Sequence, residues 1–274
     1  MISLSVIDMI ALMAVVFIGL PHGAFDGAVY TQLPHPKSRT AMMWFFTIYS
    51  AMALLVIGIW LALPLLSLIL FLAISAFHFG KGDSAHITGR MRIAAIIAHG
   101  GLVTIYLPLI HQAQAFSFFA LLTYRDVSEL TLLGTLLNGA AIIWLCALIL
   151  YGAWCLKHRT YWRHLIEVVV AAIIMAYLPI LAAFAFYFCL IHSARHFHSL
   201  YHAVRDKDPK SVLPLGFGLS CASWAMGLAA GLLLVPYQAF AVSIFQIIFI
   251  GLAALTVPHM ILVDGFWRPL ATKG

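Results

Sequence analysis

The sequence predicts an all-α, polytopic transmembrane helical bundle of about nine spans, with the N-terminus outside and the C-terminus cytoplasmic. Of the 274 residues, 64% are hydrophobic and only 9% are charged, a composition that ordinary soluble domains do not have. Apolar runs of about 20 residues, the length a helix needs to cross a bilayer, recur along the whole chain. Basic residues are concentrated in alternate loops between these runs.

Nine apolar runs follow one another along the chain. The first lacks the basic start and the small-residue cleavage site of a signal peptide, so we predict a transmembrane helix there. Only Pro179 separates the sixth run from the seventh. The predicted spans are residues 3–24, 41–62, 65–82, 92–110, 130–154, 164–179, 180–203, 213–234 and 240–262. No interdomain linker interrupts them, and we therefore expect a single transmembrane domain over residues 1–274.

The loop charges predict the orientation. With the N-terminus outside, the inner loops carry thirteen lysines and arginines, the outer loops carry only Arg125, and Arg195 lies inside a helix. We expect a multi-pass protein of the cell membrane. The longest outer loop, residues 113–130, is rich in aromatic side chains and is predicted to be an interfacial loop. No basic stripe with interleaved aromatics suggests nucleic-acid binding, and four scattered cysteines without a CxxC motif indicate neither a disulfide framework nor a thiolate metal site.

The seventh predicted span carries an unusual concentration of histidine. Residues 191–202 hold four of the thirteen histidines, and ionisable groups within a membrane are costly and therefore usually functional. At 100° per residue, His192 and His196 share one helix face. His198 and His202 form a second pair on roughly the opposite face, where they bind a metal or simply lie among lipid headgroups.

The predicted topology places other histidines at a similar depth. Odd-numbered spans all run from outside to inside, so His22, His78 and His259 at the ends of spans one, three and nine fall beside the histidines of span seven. Three or four imidazoles can hold a metal ion and leave a coordination position open. Aromatic residues precede the histidines of span seven and could line a slot for a long apolar substrate: Phe184, Phe186, Tyr187 and Phe188.

Acidic residues follow three of these histidines by four or five positions. Asp26, Asp83 and Asp264 are three of only nine acidic residues in the chain. They could accept hydrogen bonds from the ligating imidazoles, as carboxylates near metal sites often do. Alternatively, each closes a glycine-flanked turn at the membrane surface. His99, inside the fourth span, is either a group of the substrate pocket or a hydrogen-bonded histidine of the bundle.

Four motifs occur in a characteristic order: PHGAFD at 21–26, AFHFGKGD at 76–83, HSARH at 192–196 and PHMILVD at 258–264. Together they resemble the Brp/Blh family of membrane-bound β-carotene 15,15'-dioxygenases, and the resemblance extends from residue 19 to residue 265. It implies a polytopic helical enzyme that cleaves β-carotene centrally with O2 into two molecules of retinal. By motif it implies non-haem Fe(II) bound by His22, His78, His192 and His196. It also implies transfer of retinal to a rhodopsin.

Three other functions compete with this interpretation. A di-iron membrane hydroxylase or desaturase would use several HxxxH or HxxHH boxes, whereas HxxxH occurs here twice on one helix and HxxHH is absent. A histidine-lined metal or proton transporter would show internal repeats with interrupted helices, and only a weak echo links residues 21–27 with 258–265. A haem-binding electron carrier would place axial histidine pairs on facing helices.

Overall fold

A computed structural model describes residues 4–33, 38–205, 209–234 and 239–267. Every regular element in these ranges is helical, which confirms the predicted fold class. Within the same ranges, nine helices are long and apolar enough to cross a membrane: Val6–Thr31, Arg39–Ala62, Pro64–Asp83, Gly89–Ile110, Val127–Lys157, Arg159–Tyr177, Ile180–His202, Gly216–Leu233 and Phe240–Trp267.

The helix boundaries agree with the predicted spans, and the sixth and seventh spans are divided at Pro179 as predicted. Helix α10 (Trp162–Tyr177) ends before an extended Leu178, and α11 (Ile180–Ala185) begins directly after the proline. The orientation of the termini stays a prediction. Several basic residues that support it lie outside the described ranges: Lys37, Lys207, Arg268 and Lys273.

The backbone contacts divide the chain into two compact units. The first unit comprises Leu12–Pro64 and the described part of Ser193–Gly274, and the second comprises Leu4–Ala11 and Leu65–His192. The predicted single domain over residues 1–274 stays a prediction.

The described part of the first unit contains six α-helices besides the end of α1 (Val6–Ala14). A hydrophobic cluster of Ala28, Val29, Leu200, Leu262, Val263 and Trp267 joins three parts of this unit. These six helices are α2 (Pro21–Ala24), α3 (Asp26–Gln32), α4 (Arg39–Ala62), α12 (Ala194–Arg205), α13 (Pro209–Leu234) and α14 (Phe240–Met260). The side chain of Ser38 caps α4 by accepting a 3.0 Å hydrogen bond from the Ala41 amide.

The second unit is packed around α6 (Arg92–Gly101). Trp144 donates a 3.0 Å hydrogen bond from its indole nitrogen to the Ala98 carbonyl of this helix. Besides α6, α10, α11 and the first part of α1, the α-helices of this unit are α5 (Pro64–Asp83), α7 (Leu107–Ile110), α8 (Gln112–Thr123) and α9 (Thr131–Lys157). Gly100 lets the backbones of α5 and α6 meet, because a Cβ atom there would collide with the Ala76 carbonyl.

The prediction of an interfacial loop at residues 113–130 is wrong about the conformation of this segment. Most of it forms α8, which buries Phe116, Phe118, Phe119 and Leu122 and ends at the left-handed residue Tyr124. The alanine, glutamine and leucine residues of this segment have high helix propensity. The aromatic side chains therefore stabilise the second unit.

Among the described residues, the α-helices are interrupted by four segments of π-helix: Val15–Gly19, Leu102–Tyr106, Phe186–Ser193 and Ile261–Trp267. Each contains a buried histidine or lies within three residues of one, namely His22, His99, His192 and His259 respectively. Such segments shift the backbone hydrogen bonds by one residue and are frequent at functional sites. Pro21 and Pro258, which directly precede His22 and His259, lie close to two of these segments.

Candidate metal centre

His22 is oriented by the backbone that precedes it. The Gly23 amide bonds to the Leu20 carbonyl, and the Gly19 carbonyl accepts a hydrogen bond from Nδ1 of His22. The Ser193 hydroxyl lies 3.3 Å from the same nitrogen. A neutral imidazole that carries its proton on Nδ1 presents the lone pair of Nε2. The buried ring of His22 is therefore suited to bind a metal through Nε2.

His259, near the end of α14, is held by a carboxylate from a different helix. Its Nδ1 lies 2.8 and 3.0 Å from the two carboxylate oxygens of Asp26, the first residue of α3. The hydroxyl of Tyr49 on α4 donates a 2.7 Å hydrogen bond to Asp26 Oδ2. All of this belongs to the first unit, so Asp26 supports His259 and does more than close a turn.

Three imidazoles come together in the first unit. The ring centres of His22 and His259 lie 5.0 Å apart, those of His196 and His259 lie 5.2 Å apart, and those of His22 and His196 lie 5.6 Å apart. All three side chains are buried. Imidazoles that share one ion at about 2.1 Å have ring centres about 5 Å apart. The spacing therefore fits a common metal ion.

A potential ligand set is also defined by donor atoms. One atom each from Asp26, His196 and His259 lies within 4.8 Å of the other two. Trp267 packs edge-on against His196, with ring centres 5.9 Å apart. The nitrogen and oxygen donors suit iron, copper, zinc or nickel.

The second unit contains a pair of facing histidines. Nε2 of His78, on α5, lies 3.2 Å from Nε2 of His192. Two nitrogens bound to one ion at about 2.1 Å lie about 3.0 to 3.4 Å apart. Both side chains are 2% exposed, so bulk water does not explain why two polar nitrogens face each other. The pair therefore fits two ligands of one ion.

Asp83 lies behind His192 in the second unit. Its Oδ1 is 3.5 Å from Nδ1 of His192, and its Oδ2 accepts a 2.8 Å hydrogen bond from the Tyr187 hydroxyl. Phe79 and Phe188 pack against the ring of His192, with centroid distances of 4.5 and 6.3 Å. These aromatic side chains shield the imidazole from water, and the buried Tyr187 and Phe188 belong to this packing.

The four predicted ligands are all buried. The structure brings His22 together with His196 in the first unit and His78 together with His192 in the second. A single ion bound by all four histidines would involve residues of both units, and this ligand set stays a prediction. His259 completes the three-imidazole group of the first unit although it is absent from the predicted ligand set. In the sequence, only its position at the end of span nine indicated that His259 would lie near the other histidines.

The other candidate residues differ in burial. His198 and His202 are exposed, with ring centres 4.4 Å apart, as expected for histidines among headgroups. His99 is buried, with Nε2 3.5 Å from the Tyr151 hydroxyl, and its carbonyl lies 3.0 Å from the Tyr187 hydroxyl. Asp264 is buried.

Comparison with known proteins identifies the family. The family described as Beta-carotene 15,15'-dioxygenase matches residues 13–267. A protein of the uncultured marine bacterium 66A03, named Beta-carotene 15,15'-dioxygenase, is 36% identical over 284 residues, which cover 99% of this chain and 98% of that protein. No solved structure matches the chain. The family match covers most of the described residues and includes every histidine of both groups, and the chain belongs to the β-carotene 15,15'-dioxygenase family.

Proposed function

We propose that this protein cleaves β-carotene at its central 15,15' double bond with O2 and releases two molecules of all-trans-retinal. The observation that carries the proposal is membership of the family over nearly the whole chain. Buried histidines in a protein with nine apolar spans give independent support. The substrate dissolves in lipid, and a bilayer-embedded enzyme meets it there.

The reaction balances without another reactant. The central C=C bond and the O=O bond break, and two C=O bonds form, one at each former alkene carbon. The alkene carbons are oxidised and both oxygen atoms are reduced. No external reductant is therefore required, in contrast to hydroxylation or desaturation.

We propose that non-haem Fe(II) is the cofactor and that His22, His78, His192 and His196 bind it. Iron would supply the activation of O2, whose direct reaction with a closed-shell polyene is slow. The imidazole nitrogens of the four histidines would supply the ligand atoms. The observed spacings of 3.2 Å between the His78 and His192 nitrogens and 5.6 Å between the His22 and His196 ring centres are compatible with ligation.

The remaining residues orient the ligands and exclude water. Asp26 and Asp83 lie at Nδ1 of a histidine, which leaves Nε2 for the metal. Phe79 and Phe188 cover His192 with apolar surface. A dry surrounding would exclude side reactions with water and suits the apolar polyene.

The first experiment measures carotenoids in β-carotene-producing cells that express the chain. We expect β-carotene to decline and two molecules of retinal to appear for each one lost. His192→Ala should abolish cleavage, and the exposed His198→Ala is the matched control. If β-carotene persists although the protein is folded, membrane-bound and loaded with iron, central cleavage of this substrate is excluded. Two irons per chain with hydroxylated carotenoid would instead support a di-iron hydroxylase.

We also propose the cell membrane as its location and a rhodopsin as the acceptor of retinal. The loop charges support an outer N-terminus and a cytoplasmic C-terminus. Reporter fusions at both termini test the orientation. Co-expression with an opsin tests the transfer, because direct transfer would regenerate pigment even when a soluble retinal scavenger is present.

A further inference from the structure

We infer that His259 is a further metal ligand and that Asp26 and Tyr49 are the positioning residues that hold it. This inference rests on the proposed metal-dependent function and adds a histidine to the four that the family motifs suggest. All the residues that carry it lie in the first unit. They come from α2, α3 and α4 in the first quarter of the chain and from α12 and α14 in its last third.

The position of His259 is that of a third imidazole around a common point. Its ring centre is 5.0 Å from that of His22 and 5.2 Å from that of His196. These distances are shorter than the 5.6 Å between His22 and His196 themselves. An ion bound by His22 and His196 at ordinary metal–nitrogen distances would therefore also lie within reach of the His259 ring.

Asp26 determines which nitrogen of His259 is available. Nδ1 donates to the carboxylate, whose two oxygens lie 2.8 and 3.0 Å away. With the proton held at Nδ1, the lone pair belongs to Nε2. Carboxylate–histidine–metal arrangements have this form, because the carboxylate fixes both the tautomer and the ring plane. His259 and Asp26 are 3% and 2% exposed, so their arrangement is not imposed by solvent.

Tyr49 fixes the carboxylate in turn. Its hydroxyl lies 2.7 Å from Asp26 Oδ2 and 3.4 Å from the Leu255 carbonyl of α14. The shorter contact is a hydrogen bond to a charged acceptor, which is stronger than one between neutral groups. Tyr49 thus connects α4 with both α3 and α14, and the Asp26 carboxylate cannot rotate without losing this bond.

The test measures metal binding by the full-length chain in detergent, with Co(II) as a spectroscopic substitute for Fe(II). We expect His259→Gly to lower the affinity for Co(II) at least about 100-fold and to change the d–d absorption bands. Asp26→Asn should weaken binding about 10- to 100-fold, the usual cost of losing such a partner, and Tyr49→Phe about 10-fold. His198→Ala and Tyr30→Phe are matched controls, and neither should alter binding.

Two further measurements separate ligation from a structural role. Free imidazole should restore Co(II) binding and the d–d spectrum to His259→Gly, because it occupies the space left by the side chain, but should not restore Asp26→Asn. X-ray absorption of the iron-loaded chain should count one imidazole fewer in His259→Gly than in wild type. An equal imidazole count, with unchanged affinity and spectrum, would overturn the inference.

The outcome is independent of catalysis. One outcome is that the wild-type protein binds Co(II) but leaves β-carotene intact, while His259→Gly has one imidazole ligand fewer. In that case the ligand assignment holds and the proposed function fails. If wild type cleaves β-carotene and His259→Gly keeps its metal affinity, spectrum and imidazole count, the function holds and the assignment fails.

Discussion

The Tyr187 hydroxyl donates a 2.8 Å hydrogen bond to Oδ2 of Asp83, and the other oxygen of this carboxylate faces His192. The same order of groups recurs in the first unit, where Tyr49 donates to Asp26 and Asp26 accepts from His259. Each unit therefore contains a tyrosine–aspartate–histidine series in which the aspartate and the histidine are buried. Burying a carboxylate is costly unless it is hydrogen-bonded, and the tyrosine supplies a donor that does not compete for the metal.

Asp83→Asn should weaken metal binding about 10- to 100-fold, because the amide no longer provides the negative charge that strengthens His192 as a ligand. Tyr187→Phe should have a smaller effect in the same direction. Isothermal titration of the detergent-solubilised chain with Fe(II) under anaerobic conditions measures both. Asp126→Asn, at an exposed position of the same unit, is the control. An unchanged affinity in Asp83→Asn would show that this carboxylate does not act on His192.

Gly100→Ala should destabilise the second unit. The added Cβ would collide with the Ala76 carbonyl, and neither backbone can move without separating α5 from α6. Overpacking of this kind costs about 1–3 kcal/mol, and sometimes more. Gly80→Ala, which meets the Ile96 carbonyl, should behave alike. Thermal unfolding in detergent measures the effect.

The control for these substitutions is Gly139→Ala in α9, where nothing lies within 4 Å of the new Cβ. Because alanine has the higher helix propensity, this variant should be as stable as wild type or slightly more stable. Equal unfolding temperatures for Gly139→Ala and Gly100→Ala would contradict the close packing of α5 and α6.

The sequence was sufficient to predict the spans because hydrophobic length is a local property. It also singled out the histidines, because polar groups in apolar runs are conspicuous. It did not show which groups pair across helices. Asp26 follows His22 by four residues yet binds His259, and Asp83 follows His78 by five residues yet faces His192. Such pairings depend on helix rotation and packing, which hydropathy does not encode.

The π-helical segments were also beyond sequence reasoning. His192 and His196 were predicted to share a face on a helix that turns by 100° per residue, whereas Phe186–Ser193 is π-helical. No residue type marks such a segment. Phe79 and Phe188 pack against His192 in the second unit, and such contacts are not visible in a hydropathy pattern.

Deletion of Leu190 should therefore weaken metal binding, because it removes one residue from the π-helical segment that carries His192. This side chain is 62% exposed, so its removal sacrifices little packing. With one residue fewer, the segment can return to i→i+4 hydrogen bonds, and His192 would then point in a different direction relative to the residues of the segment that precede it. Leu190→Ala keeps the length and should bind metal normally. Circular dichroism should show equal helix content in both variants. Wild-type metal affinity in the deletion variant would mean that the π-helical segment is unnecessary.

Metal binding should stabilise the folded protein, because buried imidazoles at ligand distance are organised only in the native state. A hundredfold excess of free iron over its Kd adds about 2.7 kcal/mol of stability. The anaerobic Fe(II)-loaded chain should thus unfold at a higher temperature than the chelator-treated chain. His78→Ala should remove this difference, since it eliminates one of the two nitrogens that lie 3.2 Å apart. The exposed His202→Ala should preserve it. If His78→Ala retains the full iron-dependent shift, His78 is not a ligand, and the metal is held by other groups.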